Sequence, residues 1–388
     1  MKGKKVWDLL SSLDDFDALE LENVQIDAEE LVFKLRKSIL MPRAEIRPPI
    51  PTKIKREPIV FEKPIKGYRG EIAEVQLGAT KAEGGSRGKV IKIGGQTTLY
   101  RFEGGVKNRP VITFDTFDIS QPQFPKVQRE AWSDVWNAPG EWAKKAVKLG
   151  ADLVTIHLVS TDPKIKDTTP RDAAKTVEEV LQAVDVPLVI GGSGNPEKDP
   201  LVLEKAAEVA EGERCLLASA NLDLDYKRIV EAAKRYSHNV LSWVSLDIND
   251  QRMLNKLILD LGLPKEQIVL DPTTAALGYG IEYTFTMIER VKQNALKGDE
   301  ELQMPISCGA TNAWGARESW MNVPEWGARE YRGPLWEAVT ALTVLMAGAD
   351  MMMMLNPRAA SIVKDVILKM FDKKKAKKEI KYEDWLKV

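Results

Sequence analysis

The residues best equipped for chemistry fall at the ends of β-prone runs. Asp115 and Asp118 close VITFDTFD, His157, Ser160 and Asp162 close DLVTIHLVS, and Ser193, Gly194 and Asn195 follow PLVIG. Further along come Ser219 and Asn221, then Asp247, Asn249 and Asp250, then Asp271, Thr273 and Thr274. Ser307, Cys308, Thr311 and Asn312, with Asn356 and Arg358, complete the set. Carboxamides, hydroxyls and single carboxylates dominate. Such groups suit a neutral, amide-rich or pterin-like ligand held by many hydrogen bonds. No lysine stands at a run's end, which argues against Schiff-base chemistry. Carboxylates come singly and His157 is the one imidazole in the set, so no metal site is expected. His157 itself suits either a hydrogen-bonded structural role or acid–base work. Cys308, with no second histidine to activate it, reads as a small buried residue rather than a nucleophile.

Two glycine loops, GGSGNPEKDP and SCGATNAWG, lie among these residues, and glycine lets backbone N–H groups come close to a ligand. GGSRGKV is a different case. A phosphate-binding loop needs one more residue between its glycines and a Ser or Thr after the lysine, whereas Val90 follows Lys89 here, so the stretch reads as a hairpin turn.

The elements that must position these residues form a regular series. Strand candidates begin near Val111, Asp152, Pro187, Cys215, Val240, Ile268, Met304 and Met351, and each is followed by a helix-period segment. Thr169-Pro170 and Asp199-Pro200 place a capping side chain before a first-turn proline, and Gly212 and Gly262 follow last turns. Every strand-to-strand offset is long enough for a right-handed βα crossover. Eight units between Val111 and Phe371 predict an α/β fold, a (β/α)8 TIM barrel over residues 111–371. A doubly wound open sheet is the alternative, but no dinucleotide fingerprint opens the first unit. Met351 to Met354 fit a strand buried on both faces.

Before the barrel, residues 61–110 alternate short β-prone runs with glycines and predict a small β cap. Residues 1–60 read as an arm with an amphipathic helix, DAEELVFKLRKSIL, and a proline-rich linker. The tail over 372–388 is charged. Lys+Arg 56 against Asp+Glu 57 leaves a net charge of -1, so no basic excess is present for nucleic acid, and no run of about 20 apolar residues predicts a membrane span. Two cysteines and two histidines supply neither a disulfide framework nor the ligands of a cluster in this chain, and the composition reads as cytoplasmic. Seven of the ten tryptophans lie in two regions, Trp132, Trp136 and Trp142 after the first strand and Trp314, Trp320, Trp326 and Trp336 after the seventh. Long aromatic loops predict a lid or a protein interface, with core packing open for Trp142 and Trp336.

FDTFDISQPQFPK, VPLVIGGSGNPEKDPLVLEKAAE, SLDINDQRMLNKLILDLGL, VLDPTTAALGYGIEYTFTMIERVK and SCGATNAWGARESW together resemble the small subunit of the corrinoid iron-sulfur protein. In archaea this is the delta subunit of the acetyl-CoA decarbonylase/synthase complex. The resemblance spans about residues 86 to 370. It implies a heterodimer with a large (gamma) subunit that carries the [4Fe-4S] cluster and a corrinoid (cobamide) domain, the corrinoid lying between that domain and the top of this barrel. It further implies methyl transfer from a methyl-tetrahydropterin through cobalt to acetyl-CoA synthase, with the methyltransferase and the synthase as further partners. Corrin rings are fringed with amides, which an Asn-, Ser- and Thr-rich mouth complements. The D-x-H-x-x-G signature that supplies a lower-face histidine is absent, so an axial ligand comes from water or the partner. From the strand ends we expect cofactor contacts among Asp115, His157, Ser193, Gly194, Asn195, Asn221, Asp247, Asp271, Thr273, Thr274, Thr311 and Asn312. No catalytic or metal-binding residue is assigned. The alternative is a pterin-binding methyltransferase barrel with its own activity, in which Asp115, Asn221 and Asp271 bind the ring.

Overall fold

The computed structural model describes residues 67–371. The arm helix expected within residues 1–60 and the tail over 372–388 lie outside the described residues. Strands β1 (Glu74–Leu77) and β2 (Ile91–Gly94) pair antiparallel, with the GGSRGKV turn in their connection. Eight parallel strands follow: β3 (Val111–Phe117), β4 (Leu153–His157), β5 (Leu188–Gly191), β6 (Leu216–Ala220), β7 (Asn239–Trp243), β8 (Ile268–Asp271), β9 (Ser307–Gly309) and β10 (Met351–Met354). Each pairs with its sequence neighbour, β10 pairs with β3, and a parallel bridge between Leu270 and Ile306 joins β8 to the start of β9. The ring is therefore closed, as the TIM barrel requires. Pairing of β9 starts later than the run at Met304 suggests, because Pro305 has no N–H to give and contributes only its carbonyl, to Leu270 N.

The helices are α1 (Lys126–Trp132), α2 (Pro139–Lys148), α3 (Pro170–Ala183), α4 (Asp199–Val209), α5 (Tyr226–Arg235), α6 (Ile248–Asp260), α7 (Ile281–Lys297), the short α8 (Arg317–Trp320), α9 (Arg329–Ala347) and α10 (Pro357–Phe371). Thr169 caps α3 as its sequence predicts, accepting from Asp172 N. Asp199 does not cap α4; it is the first helical residue, and its carboxylate turns back to the glycine loop.

Two apolar layers hold the barrel. Val75, Leu77 and Ile93 of the hairpin pack on Val111, Leu153, Val189, Leu216, Leu241, Val269 and Met351, the inward residues near the strand starts, so the hairpin plugs the N-terminal end. Met352 and Met354 face the opposite way, into the layer between sheet and helices, while Met351 and Met353 face inward. The four-methionine strand is thus buried on both faces. Trp132 and Trp142 also belong to the outer layer and are fully buried, which makes the first tryptophan cluster core rather than lid. Trp320 and Trp326 of the second cluster stay exposed. No helix among the described residues is long and apolar enough to cross a membrane.

Candidate functional site

The C-terminal strand ends open on a cavity of about 470 Å³. Four of the residues expected from sequence line it, His157, Gly194, Asn221 and Asp271, together with Trp243 and Asp199. His157 ends β4, and its Nε2 lies 3.1 Å from Asp115 Oδ1 on β3. The approach is off the line of a hydrogen bond, so Oδ1 of this buried carboxyl has no hydrogen-bond partner. The second Asp115 oxygen accepts from Thr311 Oγ1. Phe117 stacks on the imidazole at 5.1 Å between centroids. Gly191 is required beside it, since a Cβ there would stand 2.8 Å from His157 Nδ1.

Asp271 ends β8 with only 8% of its surface exposed. It takes one hydrogen bond, from Thr273 N at 2.9 Å, and burial pushes its pKa up to about 7 against that bond. Around neutrality it can therefore accept or donate a proton-bearing contact. Thr273 adopts a left-handed backbone (φ 68°) and spends its hydroxyl on Val244 O, while Asn312 Nδ2 donates to Thr274 O and Thr274 itself is buried. These residues stitch the loops after β8 and β9 together.

The GGSGN loop is held from below. Asp199 Oδ1 accepts from Ser193 N (2.8 Å) and Ser193 Oγ (2.9 Å), and Oδ2 accepts from Gly194 N (2.8 Å). The backbone N–H groups expected to meet a ligand are thus committed to a carboxylate inside the protein. Gly192 lacks a side chain because a Cβ would collide with Asp199. Asn195 Oδ1 accepts from Glu197 N and Lys198 N, leading into α4, and Asn221 Oδ1 accepts from Asp223 N. In both, the amide nitrogen carries no hydrogen bond among the described residues. Asp247 is exposed and caps α6, accepting from Asn249 N at 2.7 Å, so the geometry gives it a helix end rather than the cavity.

The residues missed from sequence are Trp243, Asp199 and Glu337. Trp243 stood in VLSWVSLD and was readable as the last residue of a strand. Glu337 gave no local signal. It lies buried in α9, accepts from Trp314 Nε1 (2.7 Å), Leu355 N and Asn356 N, and burial pushes it up to about 7. It fastens the tryptophan-rich segment after β9 to the end of β10. Arg332 clamps the same segment by donating to the carbonyls of Glu318, Met321 and Gly327. Tyr279, Tyr283, Trp320, Trp326 and Tyr331 stand exposed around this side of the mouth.

No group of three His, Cys, Asp or Glu able to hold a metal occurs among the described residues. Both cysteines are buried, and desolvation pushes the Cys215 thiol up to about 12 and raises that of Cys308 as well. His238 is neutral, its pKa lowered to about 4 by burial, with Nδ1 accepting from Cys215 N.

The family profile described as CO dehydrogenase/acetyl-CoA synthase delta subunit matches residues 74–323. The acetyl-CoA decarbonylase/synthase complex subunit delta of Methanocaldococcus jannaschii is 54% identical over 370 residues, covering 92% of this chain and 90% of that protein. The subunit delta of Methanothermobacter thermautotrophicus is 52% identical over 366 residues, covering 93% and 92%. Among solved structures, the dihydropteroate synthase of Xanthomonas albilineans with 4-aminobenzoic acid aligns at TM-score 0.46 and 14% identity, over 69% of this chain and 95% of that one. With its closed eight-stranded barrel and a match across most of its length, the chain belongs to the delta subunit family of the acetyl-CoA decarbonylase/synthase complex.

Proposed function

We propose that this delta subunit cradles the corrinoid of a heterodimer formed with the large (gamma) subunit, and that it takes part in methyl transfer from a methyl-tetrahydropterin to acetyl-CoA synthase. The corrinoid's cobalt supplies the capacity to accept and give up a methyl group. This chain supplies the surface beneath it. The observation that carries the reading is the mouth itself: an open rim with unspent amide nitrogens on Asn195 and Asn221, flanked by exposed aromatics. Amide-fringed rings need donors and acceptors of this kind, and exposed Trp and Tyr are typical of a protein contact. His157, Gly194 and Asp271 border the same opening. Ser193, Thr273, Thr274, Thr311 and Asn312 act by fixing the loops, and Asp115 by backing His157.

The same reading divides the labour between the two subunits. Two cysteines fall short of the four thiolates that hold a [4Fe-4S] centre, which supports a cluster carried by the partner. Purifying the native complex and separating its chains tests this. The expected result is a corrinoid absorption spectrum that travels with the heterodimer and iron confined to the large subunit. Stoichiometric iron on this chain, or a complex free of corrinoid, contradicts it.

A further inference from the structure

The outer flank of the barrel carries a cavity of its own, about 580 Å³, between α7, α9, α10 and the segment after β2. None of its lining residues borders the mouth cavity. The sequence of α9 explains why this hollow is apolar. Between Gly333 and Ala347 the helix holds one ionisable residue, Glu337, and that one is buried, so its solvent side has no charge to offer. Leu342 and Met346 of α9 line the cavity with Phe285 of α7, Val366 and Met370 of α10, and Leu99. Met346 is 77% exposed and Met370 51%, so unbranched, adaptable side chains stand at the opening. The volume falls in the range of about 300–1,000 Å³ usual for small-ligand sites, and hydrocarbon placed there would take apolar surface out of water on both sides.

One wall is charged. Arg101 lines the cavity, with Nη2 donating to Ala349 O at 3.1 Å and the Phe371 ring centred 4.9 Å from Cζ. Its Nη1 is buried and has no hydrogen-bond partner among the described residues. The carboxylate that acts on it, Asp350, is already engaged by Lys292 at 3.2 Å, so one buried anion answers two cations. Glu289 also borders the cavity, but the charge acting on Arg101 is that of Asp350. A second anion beside the guanidinium would supply both the missing acceptor and the missing charge. We propose that this flank is a binding site for a single-chain amphiphile, its hydrocarbon lying along Leu342 and Met346 and its anionic head, a carboxylate or phosphate, pairing with Arg101. The site needs neither corrinoid nor any residue of the mouth, so it stands or falls apart from the function proposed above.

Calorimetric titration of the full chain with decanoate, decyl phosphate, decanol and decyltrimethylammonium, all below micelle formation, tests the site. Both anions are expected to bind saturably with a negative heat-capacity change, decanol about tenfold more weakly and the cation not at all. The tighter anion identifies the head group. Arg101→Gln is expected to bring decanoate down to the affinity of decanol and to leave decanol unchanged, a split that a merely structural Arg101 would not give. Met346→Glu, at an exposed position outside the core, is expected to weaken decanoate about tenfold. No saturable binding at millimolar ligand, equal affinity for decanol, preference for the cation, or Arg101→Gln lowering decanoate and decanol alike overturns the proposal. A partner subunit is the rival occupant of this face. The Met346→Glu chain is expected to join its native complex with full corrinoid content, and decanoate to bind the complex as it binds the free chain. Loss of assembly in the variant, or loss of decanoate binding on assembly, would give the face to a protein and overturn the site.

Discussion

Two buried clusters, one at each end of the barrel, treat their polar groups in opposite ways. Below, Lys292 Nζ sits 3.2 Å from Asp350 Oδ2 and donates to Gln96 Oε1, Gln96 Nε2 donates to Asp350 Oδ1, and Ile306 N donates to Asp350 Oδ2. Three buried side chains from α7, the segment after β2 and the residue before β10 thus satisfy one another beneath the hairpin plug. Above, Asp115 keeps an oxygen without a hydrogen bond and Asp271 takes a single one. A closed network fixes structure, whereas an unfinished one leaves bonding capacity for something that is not part of the chain.

The largest effect should come from breaking the closed end. Asp350→Ala leaves the Lys292 ammonium and the Ile306 N–H buried without their acceptor and should cost about 3–5 kcal/mol in urea unfolding. A loss below about 1 kcal/mol would mean that the lower network is not the lock described here.

At the open end the sign reverses with pH. The folded pKa of Asp271 is raised to about 7, above its unfolded value, so its contribution is favourable below about pH 4 and is lost as the pH rises through 7. Glu337 acts in the same sense, and His238, lowered to about 4, in the opposite one as the pH falls below its unfolded value. The difference between Asp271→Asn and the parent chain isolates the first term. The variant should be more stable by about 1–3 kcal/mol at pH 8 and nearly equal at pH 4. Equal stability at both values would show that Asp271 carries no burial cost.

A smaller change should sharpen the picture of the mouth's aromatic side. Trp314→Phe removes the indole donor to Glu337 and should cost about 1–2 kcal/mol. Faster amide exchange is expected over residues 310–333 and not at the hairpin. Uniform exchange across both ends would break the distinction between a latched segment and the fixed plug.

The barrel was legible because its punctuation is local. Thr169-Pro170, the glycines after last turns and evenly spaced apolar runs each announce an element without knowledge of its neighbours. The mouth was legible only in part. Strand ends identified His157, Asn221 and Asp271, but a strand end does not reveal whether a polar side chain turns to the cavity or to the nearest backbone N–H. Asp247 turned to its own helix, and Asp199, expected as a cap, turned to the GGSGN loop. Glu337 lay in an apolar stretch, and its three donors come from the two residues after β10 and from the segment after β9, beyond any local pattern.

The central claim is that the rim of this barrel cradles the corrinoid. Asn195→Trp places a bulky ring on that rim beside Gly194, in a residue whose side chain is half-buried and outside the apolar layers. Corrinoid retained by the purified heterodimer, read from its absorption spectrum per mole of complex, is the direct measure. The account predicts that the variant assembles with its large subunit and keeps less than about half the parent's corrinoid. Full retention in an intact heterodimer would contradict it.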